Sequence, residues 1–164
     1  MDKDETCEII PQQTYARHVV FYPVSVVWDA IRDFDAHGSW LPHVEATEML
    51  DSPSGDIRTI RRLRFSDGSY ADEQVTKVDD EENILEYTLV GETAWPIRDV
   101  RGIIAATGDE SATLVERTVN FNSVGDPGAA SVLIANFNAG LLESLEHLSV
   151  YLGTQLVEGD AIPI

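Results

Sequence analysis

Cysteine is almost absent from this sequence. Cys7 stands alone, which excludes an internal disulfide and a cysteine-based metal site. Lysine is nearly as scarce, and the eleven bases face 29 acids for a formal net charge of −18. So acidic a surface repels phosphate backbones, which excludes nucleic acid as a partner. It repels anionic lipid headgroups as well. No run of about 18 apolar residues occurs, so no membrane insertion is expected. The opening MDKDETCEII lacks the basic-then-apolar order of a secretory signal, which makes a cytoplasmic location the expectation. Walker and dinucleotide glycine patterns are missing, as is G-x-S-x-G. His18, His37, His43 and His147 fall at no metal-ligand spacing. Neither a metal nor a cofactor is expected.

A 43% hydrophobic content excludes disorder, and 164 residues suit one domain with one core. The acid surplus has two readings: solubility through self-repulsion, or adaptation to a salt-rich interior, for which abundant Asp and Glu with little Lys is the expected pattern. Both stay open.

Residues 1–13 carry acids and Pro11 without periodicity, and read as a flexible N-terminal arm before a single domain over 14–154 and a tail over 155–164. YARHVVFYP (15–23) has strand composition and ends at a proline. VSVVWDAIRDF (24–34) spaces Val24, Val27, Trp28, Ile31 and Phe34 as a helix, with Ser25 as a candidate cap. AHGSWLP breaks it and allows a short second helix. Strands are expected at 43–50, 57–66, 69–78, 83–91, 96–107 and 112–122, separated by SPSGD, SDG, DDEE, ETA and GDES. PGAASVLIANFNAGLLESLEHLSVYLGTQ then sets Leu133, Phe137, Leu141, Leu145, Leu148 and Leu152 on one stripe of a long helix over 127–153. Hairpin-linked strands with segregated helices are an α+β pattern. The expectation is a curved seven-stranded antiparallel sheet around the C-terminal helix, with a cavity between them.

RRLRFSDGSYADEQ (61–74) fixes a register. Ile57, Thr59, Arg61, Leu63 and Phe65 share the more apolar face of their strand, and Ile60, Arg62 and Arg64 share the other. SDG suits a three-residue loop with Gly68 left-handed. Arg61 then faces Glu73 inside the sheet, Leu63 faces Ala71, and Arg62 faces Asp72 outside. A two-residue loop would turn Glu73 and Val75 outward. By the same alternation, TLVERTVNF (113–121) points Arg117 inward between Val115, Val119 and Phe121, and Tyr87 shares a face with Leu85 and Leu89.

Several scattered stretches carry a resemblance. VWDAIRDFDAHGSWLPHV, G-x-I-R ahead of a DG turn, E-x-V-x-x-x-D, Tyr87, Pro96 and VERTVNF together resemble the SRPBCC superfamily. The nearest branch is the polyketide cyclase/dehydrase-like one among START/Bet v 1-type helix-grip proteins, over roughly residues 15 to 152. The resemblance implies a helix-grip fold that binds a small hydrophobic or amphipathic ligand as a carrier, sensor or sequestering protein. A polyketide cyclase/dehydratase-like enzyme is the alternative it leaves open, and some relatives act through protein partners, so a partner or homodimer stays open too. Arg61 and Glu73 match the family pattern. Arg117 departs from it, since an aromatic is common there; a more polar ligand and an arginine snorkelling at the cavity mouth are the two explanations, the second preferred.

The Arg61–Glu73 pair itself has three readings: an ion pair bracing the sheet, a polar anchor for a ligand, or an acid–base role for Glu73. Glu73 and Tyr87 are the only catalytic candidates. The expected ligand site comprises Arg61, Glu73, Tyr87 and Arg117 with an apolar wall of Leu63, Phe65, Val119, Phe137 and Leu141. Trp40 is expected near its entrance: with Pro42 it resembles the short second helix that walls the cavity in the family, and a hydrophobic plug is the alternative reading of both.

Overall fold

A computed structural model describes residues 9–51, 57–91, 93 and 95–159 of the chain. Seven strands form one antiparallel sheet in the order β1-β7-β6-β5-β4-β3-β2. They are β1 (Ile9–Val20), β2 (Val44–Asp51), β3 (Ile60–Phe65), β4 (Tyr70–Asp79), β5 (Ile84–Val90), β6 (Ile97–Gly108) and β7 (Thr113–Val124). Helix α1 (Val24–Arg32) and a 3-10 turn (Phe34–Ser39) follow β1, and helix α2 (Pro127–Gly159) closes the chain. This is the helix-grip α+β architecture that the residue patterning predicts.

From β2 to β7 the chain is a meander of hairpins, while β1 lies beside β7 from the far end of the sequence. Bulges in β2, β4 and β6 interrupt the ladders. Each extra residue bends its strand and raises local twist, which curls a wide sheet. Helix α2 lies against the concave face with Leu141, Ser144, Leu145, Leu148 and Leu152 buried. Those positions recur at three and four residues, so one stripe meets the sheet. The helix also covers the edge strand, where Asn138 Oδ1 accepts the backbone N–H of Tyr15 at 3.0 Å.

The boundaries depart from expectation in four places. β1 starts at Ile9, so residues 9–13 of the expected arm pair with 120–124 of β7. Alternating partners on a neighbouring strand, rather than local composition, hold that segment extended. Helix α2 continues to Gly159, six residues beyond its expected end. Pro23, not Ser25, occupies the N-cap of α1; the first free N–H, on Val24, donates instead to the carbonyl of Asp109 at 2.9 Å. Ile57 is half exposed, because β3 begins at Ile60 and Arg58 adopts φ 82°, ending the alternation upstream. Residues 1–8 of the arm, 160–164 of the tail, Cys7, the SPSGD segment 52–56 and two of the three ETA residues lie outside the described residues.

The β3–β4 register is the expected one: Arg61 opposite Glu73, Arg62 opposite Asp72, Leu63 opposite Ala71. The loop closes with Gly68 N–H on the Phe65 carbonyl (3.0 Å) and Phe65 N–H on the Ser69 carbonyl (2.9 Å), with Gly68 at φ 89°. Only a residue without Cβ takes that conformation freely.

Candidate functional site

Between the concave face of the sheet and α2 lies a cavity of about 260 Å³, near the lower edge of the roughly 300–1,000 Å³ usual for ligand pockets. Leu63, Phe65, Tyr87, Val119, Phe137 and Leu141 all stand on its wall, as alternation and helical spacing place them. Its mouth adjoins an outer hollow of about 490 Å³, and His43, Phe65, Trp95, Asn136 and Phe137 border both. Three of these rings touch in series: Phe65 to Trp95 at 6.0 Å between centroids, and Trp95 to Phe137, edge-on, at 5.9 Å.

The buried polar groups of the wall belong to β4, β5 and β7, while His43 and Asn136 stand at its mouth. Glu73 sits on the wall with Oε2 accepting both Nε (3.0 Å) and Nη2 (2.6 Å) of Arg61. No hydrogen bond reaches its Oε1 from any described residue. Arg61 itself is 2% exposed and stands behind Glu73, off the cavity wall. Its Nη1 donates to the Phe34 carbonyl at 2.7 Å, and its guanidinium lies 3.5 Å from the centre of the Phe34 ring. Burial drags the Arg61 pKa below the ordinary arginine value, and Glu73 works against that drop.

Arg117 is buried on the wall, not snorkelling at the mouth. Alternation gives its direction but not its depth. Depth is set by two partners from distant elements: Ser144 Oγ on α2 accepts from Nη1 at 2.7 Å, and the Tyr87 hydroxyl oxygen accepts from Nη2 at 3.0 Å. Ser144 passes its own hydrogen to the Leu141 carbonyl at 2.6 Å. Burial, the largest influence on Tyr87, raises its phenol pKa and keeps it protonated. Its hydrogen remains available to a ligand.

Trp40 corrects the sequence expectation as well. It is 1% exposed in the core and absent from the wall, where the next residues, Leu41 and Pro42, stand instead. In a 3-10 turn side chains three apart eclipse, so Phe34, His37 and Trp40 all face inward, with His37 4.7 Å from Trp40 between ring centroids. His37 Nε2–H donates to the Ile31 carbonyl at 2.6 Å. Burial, then the charges of Arg61 and Arg117, push the His37 pKa well below its usual 6.5, so the ring is neutral.

Of the residues at the site that escaped sequence reasoning, two do most to shape it. Gly102 pairs with Tyr87 across β5 and β6, and a Cβ there would collide with the tyrosine ring. The missing side chain lets Tyr87 lie across the neighbouring strand toward Arg117; the signal is a lone glycine inside a strand. Trp95 is the other, an aromatic residue in a segment whose neighbours read as a turn. His43 and His147, distant in sequence, both lie 3.7 Å from Glu143 on the surface. Among the described residues no group of three or more His, Cys, Asp or Glu could hold a metal, and no helix is long and apolar enough to cross a membrane.

A family model described as polyketide cyclase/dehydrase and lipid transport matches residues 12–153. No curated protein matches the chain. Among solved structures it is similar to the ZhuI aromatase/cyclase of a Streptomyces species, at 17% identity and TM-score 0.79 over 92% of this chain and 99% of that one. It is similar to the XoxI protein of Bacillus cereus, at 20% identity and TM-score 0.72 over 85% and 94%. Norcoclaurine synthase of Thalictrum flavum, solved with dopamine and hydroxybenzaldehyde, shares 14% identity and a TM-score of 0.70 over 93% and 90%. At these identities the likeness carries the fold alone.

Proposed function

The chain belongs to the polyketide cyclase/dehydrase and lipid transport family, and from that premise we propose that it binds a small apolar or amphipathic molecule between sheet and α2. It acts as a carrier, sensor or sequestering protein. The observation that carries this reading is the cavity itself: an apolar wall broken by a polar cluster of Glu73, Tyr87 and Arg117. Such a wall favours the apolar body of a ligand by area, and a few placed polar groups orient its polar end. A volume of about 260 Å³ favours a compact, one- or two-ring molecule over a long chain.

A second reading, a cyclase or dehydratase-like enzyme, is favoured by one feature. Glu73, paired with Arg61 and with no hydrogen bond to Oε1 from any described residue, and the protonated Tyr87 offer a base and an acid on one cavity wall. The fold shared with an aromatase/cyclase is consistent with it.

Native mass spectrometry after mild purification tests the first reading: a co-purifying molecule of matching size is expected. Absence of any co-purifying or added small molecule from the complex would count against it. Returning the extracted molecule to fresh protein separates the two readings. A carrier releases it unchanged, whereas a dehydratase releases it lighter by one water.

A further inference from the structure

We propose that the cavity selects an anion: a compact, mainly apolar molecule ending in a carboxylate, which docks on Arg117. This deepens the small-molecule reading above and rests on it.

The argument starts from an imbalance of buried charge. Among the described residues the buried ionisable side chains that carry charge are Arg61, Arg117 and Glu73, since His37 is held neutral. Two cations therefore share one anion, inside a protein whose formal net charge is −18. Glu73 is committed to Arg61, which uses the same carboxylate oxygen twice. Arg117 makes no ion pair with any described residue, and its two hydrogen-bond acceptors, Ser144 and Tyr87, are both neutral. Tyr87 is no concealed counter-ion, because burial keeps its phenol protonated.

The guanidinium also keeps donors in reserve. Its Nε–H is buried and has no partner among the described residues. Of five N–H donors in the guanidinium fork, two are used by described residues. A buried charge without a counter-ion is costly, and so is a buried donor without an acceptor. A carboxylate brings a counter-charge and an acceptor at once, and its two oxygens match paired N–H donors of a guanidinium. A neutral alcohol or ketone satisfies only the donor. The protonated Tyr87 hydroxyl can donate to the same anion. Glu73 Oε1, with its charge offset by Arg61, suits a hydroxyl elsewhere on the ligand.

The discriminating pair of probes is naphthoate and the neutral naphthalenemethanol, which share a ring system and differ in the charged end. Both are titrated into the full chain at neutral pH by calorimetry. Wild type is expected to bind naphthoate at least about tenfold more tightly than the alcohol, the order of magnitude for a charge-assisted fork against a neutral contact. Arg117→Met should remove or invert that ratio, and Arg117→Lys should keep naphthoate ahead. The wild-type ratio stands even if a variant fails to fold. Alcohol bound as tightly as naphthoate would overturn the anion assignment and leave the cavity's small-molecule role intact. Binding of neither probe, nor of the neutral dye Prodan, would overturn both.

Discussion

Arg61 and Arg62 are adjacent on β3, each opposite a carboxylate of β4, and their contacts are nearly the same. Arg61 binds Glu73 through two donors and lies 3.5 Å from the centre of the Phe34 ring. Arg62 binds Asp72 through two donors, at 2.8 and 2.9 Å, and lies 4.2 Å from the Tyr70 ring centre. What differs is water. The inner pair has side chains 2% and 11% exposed, the outer pair 27% and 16%. Burial lowers the Arg61 pKa even against Glu73, whereas the hydrogen bond to Asp72 raises that of Arg62. The pleat alone assigns the rungs to opposite faces, so identical chemistry becomes a buried interior pair on one and a partly hydrated pair on the other.

The largest expected effect tests that contrast directly. Glu73→Gln strands the desolvated guanidinium of Arg61 and should cost about 3–5 kcal/mol in urea unfolding, the usual penalty for breaking a buried pair. Arg62→Gln should be nearly silent, because water can solvate the Asp72 carboxylate that loses its partner. Equal shifts in the two variants would mean that the cavity lets water reach Arg61 as freely as solvent reaches Arg62. Arg61→Met sharpens the same point. It should weaken naphthoate binding less than Arg117→Met does, since Arg61 stands behind the wall and Arg117 on it.

Next comes the packing that aims the inner face. Gly102→Ala sets a methyl against the Tyr87 ring. Overpacking of this kind costs about 1–3 kcal/mol, and here it also pulls the hydroxyl from Arg117. Melting temperature and ligand affinity should fall together. A loss of stability with affinity intact would show that Tyr87 braces the sheet without serving the pocket.

The inner and outer rungs were legible in the sequence, and the reasons are local. Alternation along β3 sorted the arginines by face, and the three-residue SDG loop with Gly68 fixed the partners. The apolar wall followed from the same periodicities. Depth was not legible. Arg117 points inward by alternation, but its place in the interior depends on Ser144 from α2 and Tyr87 from β5, 27 and 30 residues away. Trp40 was misplaced for a related reason: the 3-10 geometry of residues 34–39, which turns Phe34, His37 and Trp40 inward together, leaves no periodic signature in so short a stretch.

His37 extends the inside-outside contrast to pH. Its folded pKa lies below the unfolded 6.5, so between those values the unfolded chain binds a proton that the folded chain does not. Stability should therefore be full above pH 6.5 and fall as pH drops below it, by up to about 1.4 kcal/mol per pH unit for one proton. Protonation would also place a third cation beside Arg61 and Arg117. Asp67, Asp80 and Asp109, on the outside, have pKa values lowered below 3.8 and contribute a loss only at more acid pH. His37→Leu should flatten unfolding free energy between about pH 5 and 6.5. An unchanged slope in that variant would exclude His37 as its source.

Salt should act on the two rungs unequally and by the smallest amounts. Added KCl shortens the screening length from about 10 Å at 0.1 M to about 3 Å at 1 M, and it screens exposed charges far more than buried ones. In double-mutant cycles the Arg62–Asp72 coupling should shrink toward zero in molar KCl, while the Arg61–Glu73 coupling should hold. The intact protein should move the other way. With a formal net charge of −18, its surface repels itself, and screening that repulsion should raise the melting temperature even as individual outer pairs weaken. A steep rise supports salt adaptation as the origin of the acid surplus; a flat profile reduces it to a solubility trait. If both couplings fell together with salt, ions would be reaching Arg61 through the cavity, and its pair would differ from the outer one only in degree.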